Sequence, residues 1–222
     1  MENRYDNILR EYNDQILALV AGNQVLREVM AYELTKITIP TPRIIELGCG
    51  EGHSSLPLLK HTNFDPELLD VSQKMIDLCK VKLAEFASRI TYICKDAYEY
   101  LIDSRPYGVI VTEMTLHNFR RIERNKLLSI IFEKLNNGGS FLLMDKVYED
   151  ADKSQALDEV LKRFAYLPPK IAEAIIEHEK QDFTDEYRID ESPFLEELRS
   201  IGFTNVSIID RVECNVVIGA TK

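Results

Sequence analysis

Apolar positions along this chain fall into two rhythms. Between Arg43 and Val147, five short runs are dense in Ile, Leu and Val: RIIELG (43–48), PELLD (66–70), RITYIC (89–94), YGVIVTEM (107–114) and GSFLLMDKV (139–147). Unbroken apolar runs of this length predict strands buried on both faces. Between them the apolar residues return at helical spacing, which predicts helices over Ser54–His61, Ser72–Ala87, a short piece at 97–101, and Glu123–Asn136, the last stopped by Asn137-Gly138-Gly139.

The flanks obey different rules. Residues 3–36 carry Leu9, Ile16, Leu17, Val20, Val25, Leu26, Val29 and Met30 at helical intervals, with a break at Gly22 and an end at Pro40 and Pro42. After Val147 the pattern stays helix-like over 150–181, interrupted at Pro168-Pro169, so an insertion replaces the next strand-helix unit. Ser192–Ile201 resumes as a helix closed by Gly202. FTNVSIID and ECNVVIGATK then read as strands, and the short link of Arg211 and Val212 between them makes a hairpin. Alternating strands and helices imply a parallel, doubly wound sheet. The predicted class is therefore α/β: a Rossmann-like sheet of seven strands, one antiparallel through the terminal hairpin, with an N-terminal helical cap and a helical insertion before the last helix. One domain is expected over 1–222, divided into the cap (1–40), a core (41–147), the insertion (148–191), and the last helix with the hairpin (192–222).

Composition sharpens this reading in three respects. A chain of 222 residues with 45% apolar content can bury one sizeable core. The net charge of −10 repels phosphate backbones and disfavours nucleic acid as a partner. Arg120, Arg121, Arg124 and Lys126 form a local basic group, which reads as a solvated helix face. Cys49, Cys79, Cys94 and Cys214 lie far apart without a CxxC pair, so no disulfide framework and no metal site is expected. No apolar run is long enough to span a membrane, and the N-terminal stretch is polar; a cytoplasmic protein is the expectation.

The sharpest chemical feature is Glu46-Leu47-Gly48-Cys49-Gly50-Glu51-Gly52, placed between a predicted strand and a predicted helix. Glycines there let a ligand approach the backbone. Asp70 lies 20 residues past Gly50, at the end of the second strand, where an acid accepts hydrogen bonds from both ribose hydroxyls. The pair reads as a nucleoside site. The GxGxG spacing, with Glu46 and Glu51 beside it, suits a cationic cofactor better than a pyrophosphate, which disfavours a nicotinamide dehydrogenase.

ELGCGEG (46–52), LLDVSQKMID (68–77), KDAYEY (95–100), VTEMTLHNF (111–119) and LNNGGSFLLMDKV (135–147) resemble, in order, the successive motifs of class I S-adenosylmethionine-dependent methyltransferases. The resemblance covers about residues 43–147. It implies S-adenosylmethionine as cofactor and S-adenosylhomocysteine as product. It also implies that Glu46, Gly48, Gly50 and Gly52 face the methionyl part, that Asp70 takes the ribose, and that Val71 or Met75 packs near adenine. Asp96 would receive the adenine amino group with Ala97 beside it, and Glu113 and Met114 would line the pocket. His117, after the fourth strand, is the candidate base, and Tyr12 is a second catalytic candidate that would also close over the cofactor. Tyr166, Arg163 and Tyr187 in or near the insertion are candidates for acceptor binding. Each has a plainer alternative: Asp96 as a helix cap, Met75 as core, His117 as a satisfied loop residue, His53 as a capping residue.

Within the class the layout is most similar to small-molecule methyltransferases and the carboxy-S-adenosylmethionine synthase branch. Gly50 and Glu51 stand where that synthase carries a serine and a leucine, and its asparagine-glycine-tyrosine segment is not matched near Lys162-Arg163-Phe164. The expected function is methyl transfer to a small-molecule acceptor by in-line displacement. The alternatives are a synthase-like or tRNA-modification enzyme, and a non-catalytic S-adenosylmethionine-binding partner subunit. A homodimer is compatible with any of these.

Overall fold

A computed structural model describes residues 23–38, 43–149, 157–158, 161–162, 164 and 169–222. Tyr12, Arg163 and Tyr166, most of the expected cap and part of the expected insertion lie outside the described residues.

Seven strands form one sheet: β1 (Ile44–Leu47), β2 (Glu67–Asp70), β3 (Thr91–Cys94), β4 (Tyr107–Glu113), β5 (Leu135–Lys146), β6 (Thr204–Val212) and β7 (Asn215–Thr221). Their spatial order is β3-β2-β1-β4-β5-β7-β6. The first five run parallel, and β7 lies antiparallel between β5 and β6. The chain thus builds outward from β1 to β3 on one side, then returns to place β4 on the other. That reversal opens a crevice at the carboxyl ends of β1 and β4, where open α/β sheets bind ligands.

The helices are α1 (Asn23–Thr35), α2 (Ser55–His61), α3 (Gln73–Lys82), α4 (Ala97–Asp103), α5 (Arg121–Lys134), α6 (Pro169–Asp182) and α7 (Glu191–Ile201), with 3-10 turns at Ala84–Arg89 and Leu116–Asn118. Two apolar layers flank the sheet. One gathers Leu101 of α4, Leu127, Leu128 and Ile131 of α5, and Phe194 and Leu198 of α7 against Ile45, Ile110, Phe141 and Leu143. The other gathers Leu26, Met30 and Leu34 of α1, Leu58 and Leu59 of α2, and Ile76 and Cys79 of α3 against Ile44, Leu68, Val109 and Val111. The sheet is covered on both faces, which explains why β1 and β4 are apolar through most of their length and buried throughout.

Four sequence expectations are corrected. The strand at RITYIC is not buried on both faces: β3 pairs with β2 alone at the sheet edge, and Thr91 and Cys94 are exposed. The helix expected through Asn136 ends at Lys134, because Leu135 already pairs with Tyr107 and the glycine pair Gly138-Gly139 falls in an irregular stretch of β5. The hairpin turn is Glu213-Cys214, not Arg211 and Val212; Glu213 takes the left-handed conformation (φ +55°), which lets Val212 pair with Asn215. The basic group is not one solvated face. Arg120 pairs with Glu123 and Arg121 with Glu197, but Arg124 is buried and donates to the carbonyls of Phe119, Tyr187 and Arg188, tying α5 to the chain between α6 and α7.

Candidate functional site: the crevice between β1 and β4

The loop after β1 is shaped by its backbone. Gly48 N and Cys49 N both donate to Leu69 O (2.8 and 3.0 Å), and Gly52 N donates to Cys49 O (2.9 Å), so the turn folds over the end of β2. Gly48, Gly50 and Gly52 all have positive φ (+72°, +51° and +84°). Their surroundings differ sharply. A Cβ on Gly48 would stand 2.4 Å from Thr115 Oγ1, and one on Gly52 would stand 2.8 Å from Cys79 Sγ and Leu83 Cδ1. Among the described residues, a Cβ on Gly50 would meet nothing within 4 Å. Two glycines therefore serve close packing of the protein against itself, and Gly50 alone of the three borders open space.

Asp70 is fixed beside that opening. Its Oδ2 accepts from Gly50 N (2.9 Å) and its Oδ1 from Ser72 N (2.8 Å), which splays the carboxylate across the crevice with 9% of the residue exposed. A carboxylate offers about four acceptor positions, which suits it to accept from vicinal hydroxyls. Ser72 caps α3 by accepting from Met75 N (3.4 Å); Met75 is buried against this turn and Val71 is exposed. Asp96 caps α4, its Oδ1 accepting from Tyr98 N (2.8 Å) and Glu99 N (3.3 Å), with Ala97 opening the helix. The capping alternative for Asp96 is realised.

The ends of β1 and β4 hold two buried carboxyl groups, Glu46 and Glu113. Glu46 is fully buried in β1, with Ser54 Oγ donating to one carboxylate oxygen and Ser55 Oγ to the other (2.5 Å). Burial pushes its carboxyl up to about 7, the two serine bonds hold it down, Glu113 adds to the rise and Arg27 opposes it. Glu113, at the end of β4, accepts from Arg27 Nε of α1 (2.6 Å) through Oε1; its Oε2 is buried with no hydrogen-bond partner among the described residues. A buried carboxylate oxygen without a donor is costly, and a cationic ligand group placed there would satisfy it. Glu51 does not join this group, contrary to expectation: its carboxylate lies 3.5 Å from Lys82 Nζ and 3.6 Å from His53, and His53 itself contacts Lys82.

Beyond β4, Met114 takes a left-handed turn (φ +46°) and Thr115 Oγ1 reaches the carbonyls of Leu47 (3.3 Å) and Glu113 (2.8 Å). Asp145, wholly buried on β5, fixes the next residues of this loop: its Oδ2 accepts from Thr115 N (3.2 Å), Leu116 N (2.7 Å) and His117 N (3.4 Å). Its Oδ1 accepts from Lys146 N (2.8 Å) and stands 2.5 Å from His117 Nδ1. Burial works against the charged form, yet His117 and these backbone donors hold the Asp145 carboxyl below the usual range. His117 is buried, its ring edge-on to that of His178.

Tyr187, by contrast, sits in the turn after α6, where its carbonyl serves Arg124, and among the described residues none of its hydrogen bonds reaches Asp70 or Glu113. Phe183 stacks on Tyr148 (4.6 Å between centroids) with Arg188 over both rings, and Phe164 is buried; Phe183 and Tyr148 thus form a small core of their own. Sequence reasoning missed Arg27, Ser54, Ser55, Asp145, His178 and Asp182. Of these Asp145 alone carries a signal, as a lone acid at the end of the apolar run FLLM.

A family described as a methyltransferase domain matches residues 44–139, the stretch that holds the glycine turn, Asp70 and Glu113. Curated relatives include the carboxy-S-adenosyl-L-methionine synthases of Shewanella piezotolerans, 26% identical over 71% of this chain and 67% of that protein, and of Hydrogenovibrio crunogenus, 26% identical over 72% and 64%. Among solved structures, a putative O-methyltransferase from Nostoc punctiforme superposes with a TM-score of 0.66 at 17% identity, covering 90% of this chain and 56% of that one. The magnesium protoporphyrin IX methyltransferase from Synechocystis with bound SAM gives 0.61 at 15% identity, covering 90% and 80%. This chain therefore spans about two thirds of the curated relatives' length and little more than half of the Nostoc protein's. These structural likenesses concern the fold, the seven-stranded sheet with its antiparallel β7. Among the described residues no helix is long and apolar enough to cross a membrane.

Proposed function

We propose that the chain is an S-adenosylmethionine-dependent methyltransferase acting on a small-molecule acceptor. The observation that carries this reading is the open space at Gly50 bounded by Asp70, continued by the unsatisfied Oε2 of buried Glu113. An adenosyl group fits the first, and the cationic aminoacyl end of the cofactor fits the second. When bound, S-adenosylmethionine supplies an electrophilic methyl on a sulfonium.

The residues have distinct tasks under this proposal. Asp70 would accept from the ribose hydroxyls, and Glu113 with Glu46 would hold the ammonium, drawing the Glu46 carboxyl down from about 7 toward its charged form. Val71 and Met75 would border adenine, and Asp96 with Ala97 its far edge. Glu46 and Glu113 offer nothing to an anionic pyrophosphate, which argues against a nicotinamide cofactor. Alignment of acceptor, methyl and sulfur is the main demand of the reaction, so a rigid loop after β4, held by Asp145, matters more than an elaborate relay. His117 is the acceptor-side group: its Nδ1 is anchored on Asp145, which leaves Nε2 as the working atom, an arrangement shared by general bases and metal ligands.

The name of the curated relatives favours one second reading, a carboxylated sulfonium product in place of a methylated acceptor. Gly50 and Glu51, which replace a serine and a leucine of that branch, speak against it. Native mass spectrometry of the purified protein, then incubation with S-adenosylmethionine and a panel of oxygen, nitrogen and carbon acceptors, tests the proposal. Formation of S-adenosylhomocysteine with a methylated acceptor is the expected result. A copurified cofactor heavier by a carboxylate would favour the synthase reading, and cofactor binding without turnover on any acceptor would favour a partner subunit. The same spectra report whether the chain is a homodimer.

A further inference from the structure

A second polar cluster lies beyond the cofactor crevice, where the ends of β4 and β5 meet α6. His178 and Asp182 are four residues apart on α6, so they share one helix face, and that face meets His117. One donor atom from each of His117, His178 and Asp182 lies within 4.8 Å of the other two. Lys146 Nζ contacts Glu179 Oε1 (2.6 Å) and Asp182 Oδ2 (3.0 Å). Asp182 Oδ1 is buried and has no hydrogen-bond partner among the described residues.

Among the described residues Lys146 is the ammonium in contact with two buried carboxylates, Glu179 and Asp182, while the charge of Asp145 faces His117 and Arg124. Buried charge needs compensation.

We propose that His117, His178 and Asp182 bind one divalent transition-metal ion of the zinc or iron(II) class. Two imidazole nitrogens and one carboxylate oxygen suit such ions, whereas calcium and magnesium prefer all-oxygen sites. Asp145 plays the outer role seen where a carboxylate holds a metal-bound histidine: it fixes His117 through Nδ1 and leaves Nε2 for the ion. Asp182 offers Oδ1 while its Oδ2 stays with Lys146. Donor atoms in a tetrahedral sphere with metal–nitrogen bonds of about 2.0–2.1 Å lie about 3.3 Å apart, so the cluster must close modestly on binding. His178, with 16% of its side chain exposed, already stands with Nε2 3.6 Å from Asp182 Oδ2. Three protein ligands leave a coordination position for water or an acceptor oxygen. The metal site does not depend on the methyltransferase reading; only the use of that open position does.

The test uses the full chain, stripped with a chelator and titrated with Co2+ by absorbance and with Zn2+ by calorimetry. The expected result is one ion per chain, visible bands of a nitrogen- and oxygen-ligated Co2+ without thiolate charge transfer, and a Zn2+ Kd of about 1 µM or tighter. His178→Ala lies on a partly exposed helix face and tests the site without threatening the core. It should weaken Zn2+ binding by about 100-fold or more, and Asp182→Asn should act alike. His61→Ala, at an exposed pair with Glu28, should change nothing. Absence of Co2+ bands, a thiolate signature, or Zn2+ binding indifferent to His178→Ala in a protein with native circular dichroism would overturn the proposal.

Discussion

The two polar regions at the carboxyl edge of the sheet are built by opposite means. At β1 and β2 the site is made mostly of main chain: a glycine turn, two amide donors and one acid, all within residues 46–72. At β4, β5 and α6 it is made of side chains brought together over 28 to 65 positions: His117 with Asp145, and His117 with His178 and Asp182. A main-chain site tolerates change in its side chains but not in its φ angles. A side-chain site depends on each buried partner.

Asp145→Asn should have the largest effect on this contrast. It leaves His117 and four amide donors facing a neutral amide, so it should cost about 3–5 kcal/mol of unfolding free energy, measured by urea denaturation. A loss under about 1 kcal/mol, the scale of an ordinary surface change, would mean that the loop after β4 holds itself.

The glycines divide the first region further. Gly48→Ala would drive a methyl into Thr115 at positive φ and should cost about 2–3 kcal/mol. Gly50→Ala meets open space, so it should cost only about 1–2 kcal/mol of backbone strain while reducing cofactor affinity more than Gly48→Ala does at a temperature where both are folded. Equal loss of affinity in the two variants would remove Gly50 from the pocket wall.

Glu46 gives the smaller, pH-dependent effect. Its folded pKa of about 7 lies above the unfolded value, so its contribution to stability is most favourable at low pH and is lost as pH rises through 7. In Glu46→Gln that part of the pH dependence should vanish. A cationic ligand favours the ionised carboxylate, so cofactor affinity in the native chain should rise between about pH 5.5 and 8, by no more than about tenfold per unit. Affinity flat across that range would mean that Glu46 does not feel the ligand's charge.

The same contrast explains what can be read without coordinates. ELGCGEG and Asp70 are legible because a main-chain site repeats a local pattern of strand, glycine turn and helix, and the alternation of apolar runs places all seven strands. Which glycine borders the ligand is not legible, since Thr115, Cys79 and Leu83, which crowd Gly48 and Gly52, come from distant segments. Glu51 misleads for a related reason: its partner Lys82 is 31 positions away. His117 stands out by its place after a strand, but its partners carry no spacing rule relative to it. His178 and Asp182 sit in a helix whose polar face looks like any solvated one until it packs on β5.

The central claim is that Gly50 and Asp70 border an S-adenosylmethionine site. Calorimetric titration of the native chain and of Asp70→Ala with S-adenosylmethionine tests it most directly. Saturable one-to-one binding that weakens by about one to two orders of magnitude in Asp70→Ala is the predicted result, because the ribose hydroxyls lose their acceptor. No binding to the native chain, or equal affinity in a folded Asp70→Ala, would contradict it.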